Sequence, residues 1–325
     1  MKEKILFMGT PTFSQTVLKA LIASQNYDII GVVTQPDRPV GRKRLLTPSP
    51  VKETALAHNI PVYQPEKLSG SPEMAELLTQ EVDLLITAAY GQFVPTKLLK
   101  HPKFGAINVH ASLLPLYRGG APIHYAIWQG QKETGVSIMY MVKEMDAGDI
   151  LAQAKTPIGP NEDVGDLFVR LADLGSQVLL ETLDPLFEGQ IKAWPQDPQQ
   201  VTYSPTISKD QEQINWQETA EQIHNHVRAF RPFPTTFTYF KGQRMKIWQG
   251  QVSDYSCDQS VQPGTILSFE EGRLIIQAGQ GTCYGVEVLQ AFGKKQMTAT
   301  DYVNGMGLEN IIGQGFTDSG DGYAD

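Results

Sequence analysis

The residues best placed to do chemistry lie in the segment GAINVHASLLPLYRGGAPI at 105–123. Its apolar start reads as a buried strand, yet the strand ends in Asn108 and His110. Side chains alternate along a strand, so residues two apart share a face. At the carboxyl end of a parallel strand that face opens on the crevice where open α/β sheets bind ligands. An amide and an imidazole held there can both donate hydrogen bonds to an oxygen that gains negative charge. Pro115, Gly119 and Gly120 follow, residue types that fix a turn and permit close backbone approach. A strand end whose Asn and His merely satisfy loop backbone fits the local pattern equally well.

A second candidate is Asp146 in MVKEMDAGDI, where Asp146 and Asp149 flank a glycine between two alternating runs. Asp and Gly favour turns for local hydrogen-bonding reasons, which explains this stretch without any function. No CxxC, HxxxH or HExxH spacing occurs, so no preformed metal site is expected. The first strand is followed by GTPTFS rather than GxGxxG, which counts against a dinucleotide.

The elements that must hold these residues can be read from apolar period. KILFM (4–8), DIIGVV (28–33), Val62-Tyr63, DLLITAA (83–89) and GAINV (105–109) read as buried strands alternating with helical stretches. That alternation predicts a parallel sheet covered on both faces, a Rossmann-like doubly wound α/β domain. TQPDRPVGRKRLLTPSP, after the second strand, reads as a Pro-rich loop. TGVSIMYMV and GDILAQAKTPI read as paired strands, and 161–189 as one long helix. The polar, Pro-rich stretch 190–208 has no period and is taken as a linker. A helix and five short alternating runs follow, which predict a small β-barrel. The expected organisation is a catalytic domain 1–189, a linker 190–208, a second domain 209–313 and a disordered tail 314–325.

The length of 325 residues suits two domains, and 41% hydrophobic residues suffice for real cores. The net charge of −8 argues against a general nucleic-acid coat or a membrane-surface protein. The apolar run at the N-terminus is far shorter than a span of about 20 residues, so a cytoplasmic protein without membrane association is expected. Cys257 and Cys283 are too few for a disulfide scaffold and fit a reducing compartment. His224 and His226, two apart on a helix, point to different faces and read as surface or interdomain residues.

INVHASLLPLYRG (107–119) and DAGDI (146–150) together resemble the formyltetrahydrofolate-dependent formyltransferases. FMGTPTF, TQPDRPVGRKRLLTPSPVK (34–52), AYGQFVP (89–95), TISKDQEQINW (206–216) and RAFRPFP (228–234) extend the likeness over nearly the whole chain. They narrow it to the branch that formylates the methionine carried by initiator tRNA. The resemblance implies a formyltransferase fold followed by an OB-like barrel that binds tRNA. It implies 10-formyltetrahydrofolate as co-substrate, no metal, and initiator methionyl-tRNA as partner to a monomer. An amine must attack a formyl carbon, so Asn108 and His110 are expected to stabilise the developing oxyanion. Asp146 is expected to supply a carboxylate beside the imidazole and to order a proton-accepting water. Ser112, Leu113, Leu114 and Pro115 are expected along the folate. Ala111 stands where glycine is common in the family, which bears on how closely the loop approaches.

Residues 36–52 hold five basic side chains against Asp37, a local charge of +4, while five acids and no bases lie in 301–325. A short basic run is usually a solvated surface. The resemblance instead makes Arg42, Lys43 and Arg44, with Lys209 in the second domain, the expected tRNA contacts, because phosphates supply most nucleic-acid affinity. Two alternatives stand beside this reading. A formyltransferase for a sugar-nucleotide amine or a folate would keep the three catalytic candidates without needing a basic loop. A non-catalytic RNA-binding protein would need no such trio.

Overall fold

Four consecutive residues with no exposed surface, Ile5 to Met8, require cover on both faces. They form the centre of β1 (Lys4–Gly9). The chain continues through α1 (Thr12–Ser24), β2 (Asp28–Val33), β3 (Arg38–Val40), β4 (Leu45–Thr47), α2 (Pro50–Ala57), β5 (Val62–Tyr63), α3 (Pro72–Leu77), β6 (Leu84–Ala88), α4 (Thr96–Leu99), β7 (Ala106–His110), α5 (Pro122–Trp128), β8 (Glu133–Tyr140), β9 (Ile150–Pro157) and α6 (Val164–Phe187). This computed structural model describes residues 2–41, 43–258 and 260–317. They fall into two units: Met1–Pro122, Glu133–Pro157 and Phe168–Pro205 in the first, and Ile123–Lys132, Ile158–Leu167 and Thr206–Asp325 in the second.

The first unit is built on one sheet of order β5-β2-β1-β6-β7-β8-β9. The first five strands run parallel, and β8 pairs antiparallel with both β7 and β9. This is the Rossmann-like sheet the sequence predicts, extended by an antiparallel edge. The chain runs outward from β1 to β2 and β5, then returns to β6 and β7 on the other side. Such a switch point opens a crevice at the carboxyl ends of the strands. One apolar cluster joins Leu6, Met8, Val33 and Leu85 to Met74, Leu77, Leu98 and Leu99 of α3 and α4. In α6, Gly175 has no room for a side chain, since a Cβ would meet Val109 at 2.9 Å. The glycine lets that helix lie close against β7 and β8.

The Pro-rich loop after β2 is a hairpin, with Val40 opposite Leu45 and Arg38 opposite Thr47. Every residue of β3 and β4 is exposed. A strand with no buried face has no apolar alternation, so the period that marks the other strands is missing here.

The second unit contains α7 (Ala220–Ala229), β10 (Thr236–Phe240), β11 (Gln243–Ser253), β12 (Ile266–Glu270), β13 (Arg273–Gln277), β14 (Cys283–Gln290), β15 (Met297–Thr298), α8 (Ala299–Met306) and β16 (Phe316–Thr317). Its strands form an antiparallel sheet of order β12-β13-β14-β11-β10-β16, with β15 beside β14. A lone antiparallel bridge pairs Thr265 with Gly315. Trp216, Ile223, Val227, Ile247, Ile276, Tyr284 and Phe316 share its core. Thr219 caps α7 in a capping box with Gln222. The folded chain passes beyond Gly313, because Phe316 is buried and pairs with Phe240. One aromatic residue in a polar run carries no period, so the expected tail began too early. Residues 318–325 lie outside the described residues.

Two further expectations take definite form. Cys257 and Cys283 are joined as a disulfide. Ser253 at the end of β11 lies opposite Cys283, which brings together cysteines 26 residues apart. Of the two placements expected for His226, the surface one falls away, because the ring is buried. It stacks on Trp128 with ring centres 4.8 Å apart and lies 2.7 Å from the Gln211 carbonyl oxygen through Nε2. Burial pushes its pKa down to about 4.

Candidate active site

Asn108 and His110 project from the carboxyl end of β7, two residues apart and therefore on one face. Thr87 on the neighbouring β6 pairs in register with Asn108. Its Oγ1 donates to Asn108 Oδ1 at 2.7 Å. With the amide oxygen engaged, Nδ2 carries the free donors. His110 is buried, and its Nε2 lies 2.9 Å from the Tyr117 carbonyl oxygen. A carbonyl only accepts, so Nε2 carries a proton and Nδ1 is the ring atom left to exchange one. Nδ1 lies 3.8 Å from Asp146 Oδ2, beside it but beyond hydrogen-bond distance.

Asp146 reaches this position from the turn between β8 and β9, in a left-handed conformation with φ +50°. Aspartate is among the few non-glycine residues that adopt it readily. The Gly119 backbone N–H donates to Asp146 Oδ2 at 2.8 Å. Gly119 meets two demands there. Its φ is +120°, and a Cβ would come within 2.7 Å of the Ser204 carbonyl oxygen.

The turn at 112–115 is fastened from beneath. Ser137 Oγ donates to the Ser112 carbonyl oxygen at 2.6 Å and accepts from Leu114 N–H at 3.0 Å. Gln153 Nε2 donates to the Leu114 carbonyl oxygen at 2.8 Å. The Ser112 side chain is fully buried and donates to the Leu116 carbonyl oxygen at 2.6 Å. Leu114 packs with Met139 and Ile150, while Leu113 and Pro115 are half-buried. Thr87, Ser137 and Gln153 escape sequence reasoning because one polar residue in an apolar strand looks the same whether it supports a site or not.

The stretch 190–205 belongs to the first unit and is not a free connector. The Tyr117 and Arg118 backbone N–H groups donate to Thr202 Oγ1 at 2.8 Å and to the Thr202 carbonyl oxygen at 2.9 Å. Ser204 Oγ donates to the Tyr117 carbonyl oxygen at 3.0 Å. Trp194 forms a bridge with Ile150, and Gln196 bonds to the Asp146 turn. Its lack of period reflects partners that are mostly loop backbone, which impose no spacing on side chains.

The basic candidates are divided. Lys43 and Arg44 are exposed at the tip of the β3–β4 hairpin, and Arg42 lies outside the described residues. Two further bases of that segment are paired, Arg38 with Glu66 at 2.7 Å and Lys52 with Asp37 at 2.7 Å. Gln64 and Lys52 hold the Asp37 carboxyl below its usual range through hydrogen bonds. Lys209 is exposed in the second unit. Among the described residues no three His, Cys, Asp or Glu side chains gather as metal ligands. Among them, too, no helix is long and apolar enough to cross a membrane.

Comparison with known proteins identifies the family. Residues 2–183 match the formyl transferase family and residues 206–307 its C-terminal domain. The methionyl-tRNA formyltransferase of Enterococcus faecalis is 54% identical over 304 residues, covering 94% of this chain and 96% of its own length. That of Pediococcus pentosaceus is 52% identical over 309 residues, covering 95% and 96%. An N-formyltransferase structure from Helicobacter canadensis superposes with a TM-score of 0.65 at 18% identity, covering 90% of this chain and all of its own. HypX from Aquifex aeolicus, solved with tetrahydrofolic acid, gives 0.62 at 15% identity, covering 93% of this chain and 47% of its own. These two structures share the fold. With both domain families present and half of the residues identical over nearly the whole length of the curated relatives, the chain belongs to the methionyl-tRNA formyltransferase family.

Proposed function

We propose that this chain transfers the formyl group of 10-formyltetrahydrofolate to the α-amine of methionine carried by initiator tRNA, as its relatives' name implies. The observation that carries the reading is the convergence of Asn108, His110 and Asp146 at the strand edge of a chain of this family. Attack by the amine forms a C–N bond and places negative charge on the formyl oxygen. Asn108 Nδ2–H, freed for this by Thr87, donates to that oxygen. His110 Nδ1 exchanges a proton at the same centre, and the Asp146 carboxylate orders a water that accepts the proton leaving the amine. Collapse breaks the bond to the folate nitrogen, which leaves protonated. The turn of Ser112, Leu113, Leu114 and Pro115 is the proposed wall for the folate. No step calls for a metal ion.

The antiparallel sheet of the second unit is read as an OB-like barrel, supported by the bridge between Thr265 and Gly315 beside its two end strands. Arg42, Lys43, Arg44 and Lys209 are the proposed phosphate contacts. One chain supplies all three catalytic candidates, so a monomer suffices, placed in the cytoplasm where charged tRNA is used.

The direct test offers 10-formyltetrahydrofolate together with methionyl initiator tRNA, free methionine or a nucleotide-linked amino sugar. N-formylmethionyl-tRNA is the expected product. Faster modification of either small amine would sink the reading. Affinity for the tRNA is expected to fall steeply with salt. Removing Arg42, Lys43 and Arg44 is expected to flatten the log–log salt slope by roughly 0.7–0.9 for each phosphate left without its cation. A tRNA affinity indifferent to salt would take the hairpin out of the interface.

A further inference from the structure

We propose that Gln196, oriented by Arg118, is a positioning residue for the reaction. It sets the turn that carries Asp146 and acts on the chemistry through that carboxylate, so the proposal rests on the reading of Asp146 given above.

The carbonyl oxygens of Asp146 and Gly148 both accept from Gln196 Nε2, each at 2.8 Å. On the other side of the amide, Gln196 Oε1 accepts from Arg118 Nε at 3.0 Å and Nη2 at 2.7 Å. A guanidinium only donates and a backbone carbonyl only accepts, so the amide has one allowed orientation. Turned over, it would set its NH₂ against the guanidinium and its oxygen against two carbonyls. The charged fork also polarises the amide and strengthens its two outward bonds.

The clamp closes a ring around the proposed chemistry. Three consecutive residues hold its three parts. The Tyr117 carbonyl oxygen takes the His110 Nε2 proton, the Arg118 guanidinium fixes Gln196, and the Gly119 N–H holds the Asp146 carboxylate. The imidazole and the carboxylate are thus referenced to one short stretch of backbone, and their 3.8 Å separation follows from it. Asp146 sits at φ +50°, one of several conformations open to an aspartate in a turn, and the contacts around the turn select it. Gln196 bonds both sides of this turn from a segment without secondary structure of its own.

The test compares Gln196→Met, which removes every polar contact at similar length, with Gln196→Glu, which keeps the fork to Arg118 but turns an oxygen toward both carbonyls. Each is expected to lower kcat by about 10- to 100-fold through misplacement of Asp146 and to shift the pH profile of kcat. KM for both substrates is expected to stay within about twofold, the mark of an interaction made in the transition state. In an Asp146→Asn background, Gln196→Met is expected to cost less than about twofold more, because the group it acts through is gone. Equal losses in both backgrounds, or wild-type kcat and pH profile in Gln196→Glu, would overturn the proposal. Near-wild-type turnover in Asp146→Asn alone would remove Asp146 from the mechanism and the proposal with it. Tetrahydrofolate binding by each variant reports that it is folded. Should Gln196→Met fail to bind, Gln196→Glu, with the Arg118 contact kept, decides alone.

Discussion

Asn108→Ala, His110→Ala and Asp146→Ala are each expected to lower kcat by about 10²–10⁴-fold, the range for losing an oxyanion donor or a general acid–base group. The structure explains why these losses should be catalytic rather than structural. Asn108 uses its oxygen on Thr87 and leaves its nitrogen for the reacting centre. The Tyr117 carbonyl that receives the His110 proton still has Ser204 Oγ as a donor at 3.0 Å, so His110→Ala orphans no backbone group. Asp146→Ala leaves the Gly119 N–H without its carboxylate, at a position that is only partly buried. Single-turnover rates on variants that retain tetrahydrofolate binding isolate the chemical step. The effects should not add, because the three groups serve one transition state. A folded variant with wild-type turnover would remove its residue from the mechanism.

Gly148→Ala is expected to destabilise the first unit by about 3 kcal/mol or more, the level at which packing strain dominates, and to abolish turnover in what folds. A Cβ at Gly148 would lie 1.9 Å from the Tyr140 carbonyl oxygen and 2.8 Å from its carbon. Backbone at the end of β8 cannot swing aside as a flexible side chain would. Relief must come from the turn itself, which carries Asp146 and is bonded to Gln196 through the Gly148 carbonyl. Gly189→Ala is the control. That position has φ +70° with nothing within 4 Å of the added carbon, so only the left-handed conformation is penalised, by about 1 kcal/mol. Thermal unfolding of the two variants measures the difference. Similar midpoints would show that the turn yields freely and that its geometry is not tightly held.

Much of the site's framework is legible in the sequence because burial imposes spacing. β1, β2, β6 and β7 are covered on both faces or nearly so, and β8 and α6 bury a regular set of apolar positions. Asn108 and His110 stand out for the same reason, as polar groups at the end of an apolar strand. The β3–β4 hairpin buries nothing and leaves no such trace. His226 shows a different limit. Its place against Trp128 depends on another segment of the chain, which i,i+2 spacing on one helix cannot report.

By itself the sequence determined the doubly wound sheet, the second domain, the strand-end amide and imidazole, and the family, because each rests on local period or on a contiguous motif. Tertiary structure alone decided how the site is held. Thr87 frees the Asn108 donor, Ser137 and Gln153 fasten the turn at 112–115, and Gln196 clamps Asp146 from a stretch that reads as a linker. These contacts join residues 21 to 50 positions apart through single hydrogen bonds to backbone or amide. A single hydrogen bond places no constraint on the spacing of neighbouring residues, so only the folded chain shows which polar side chains meet.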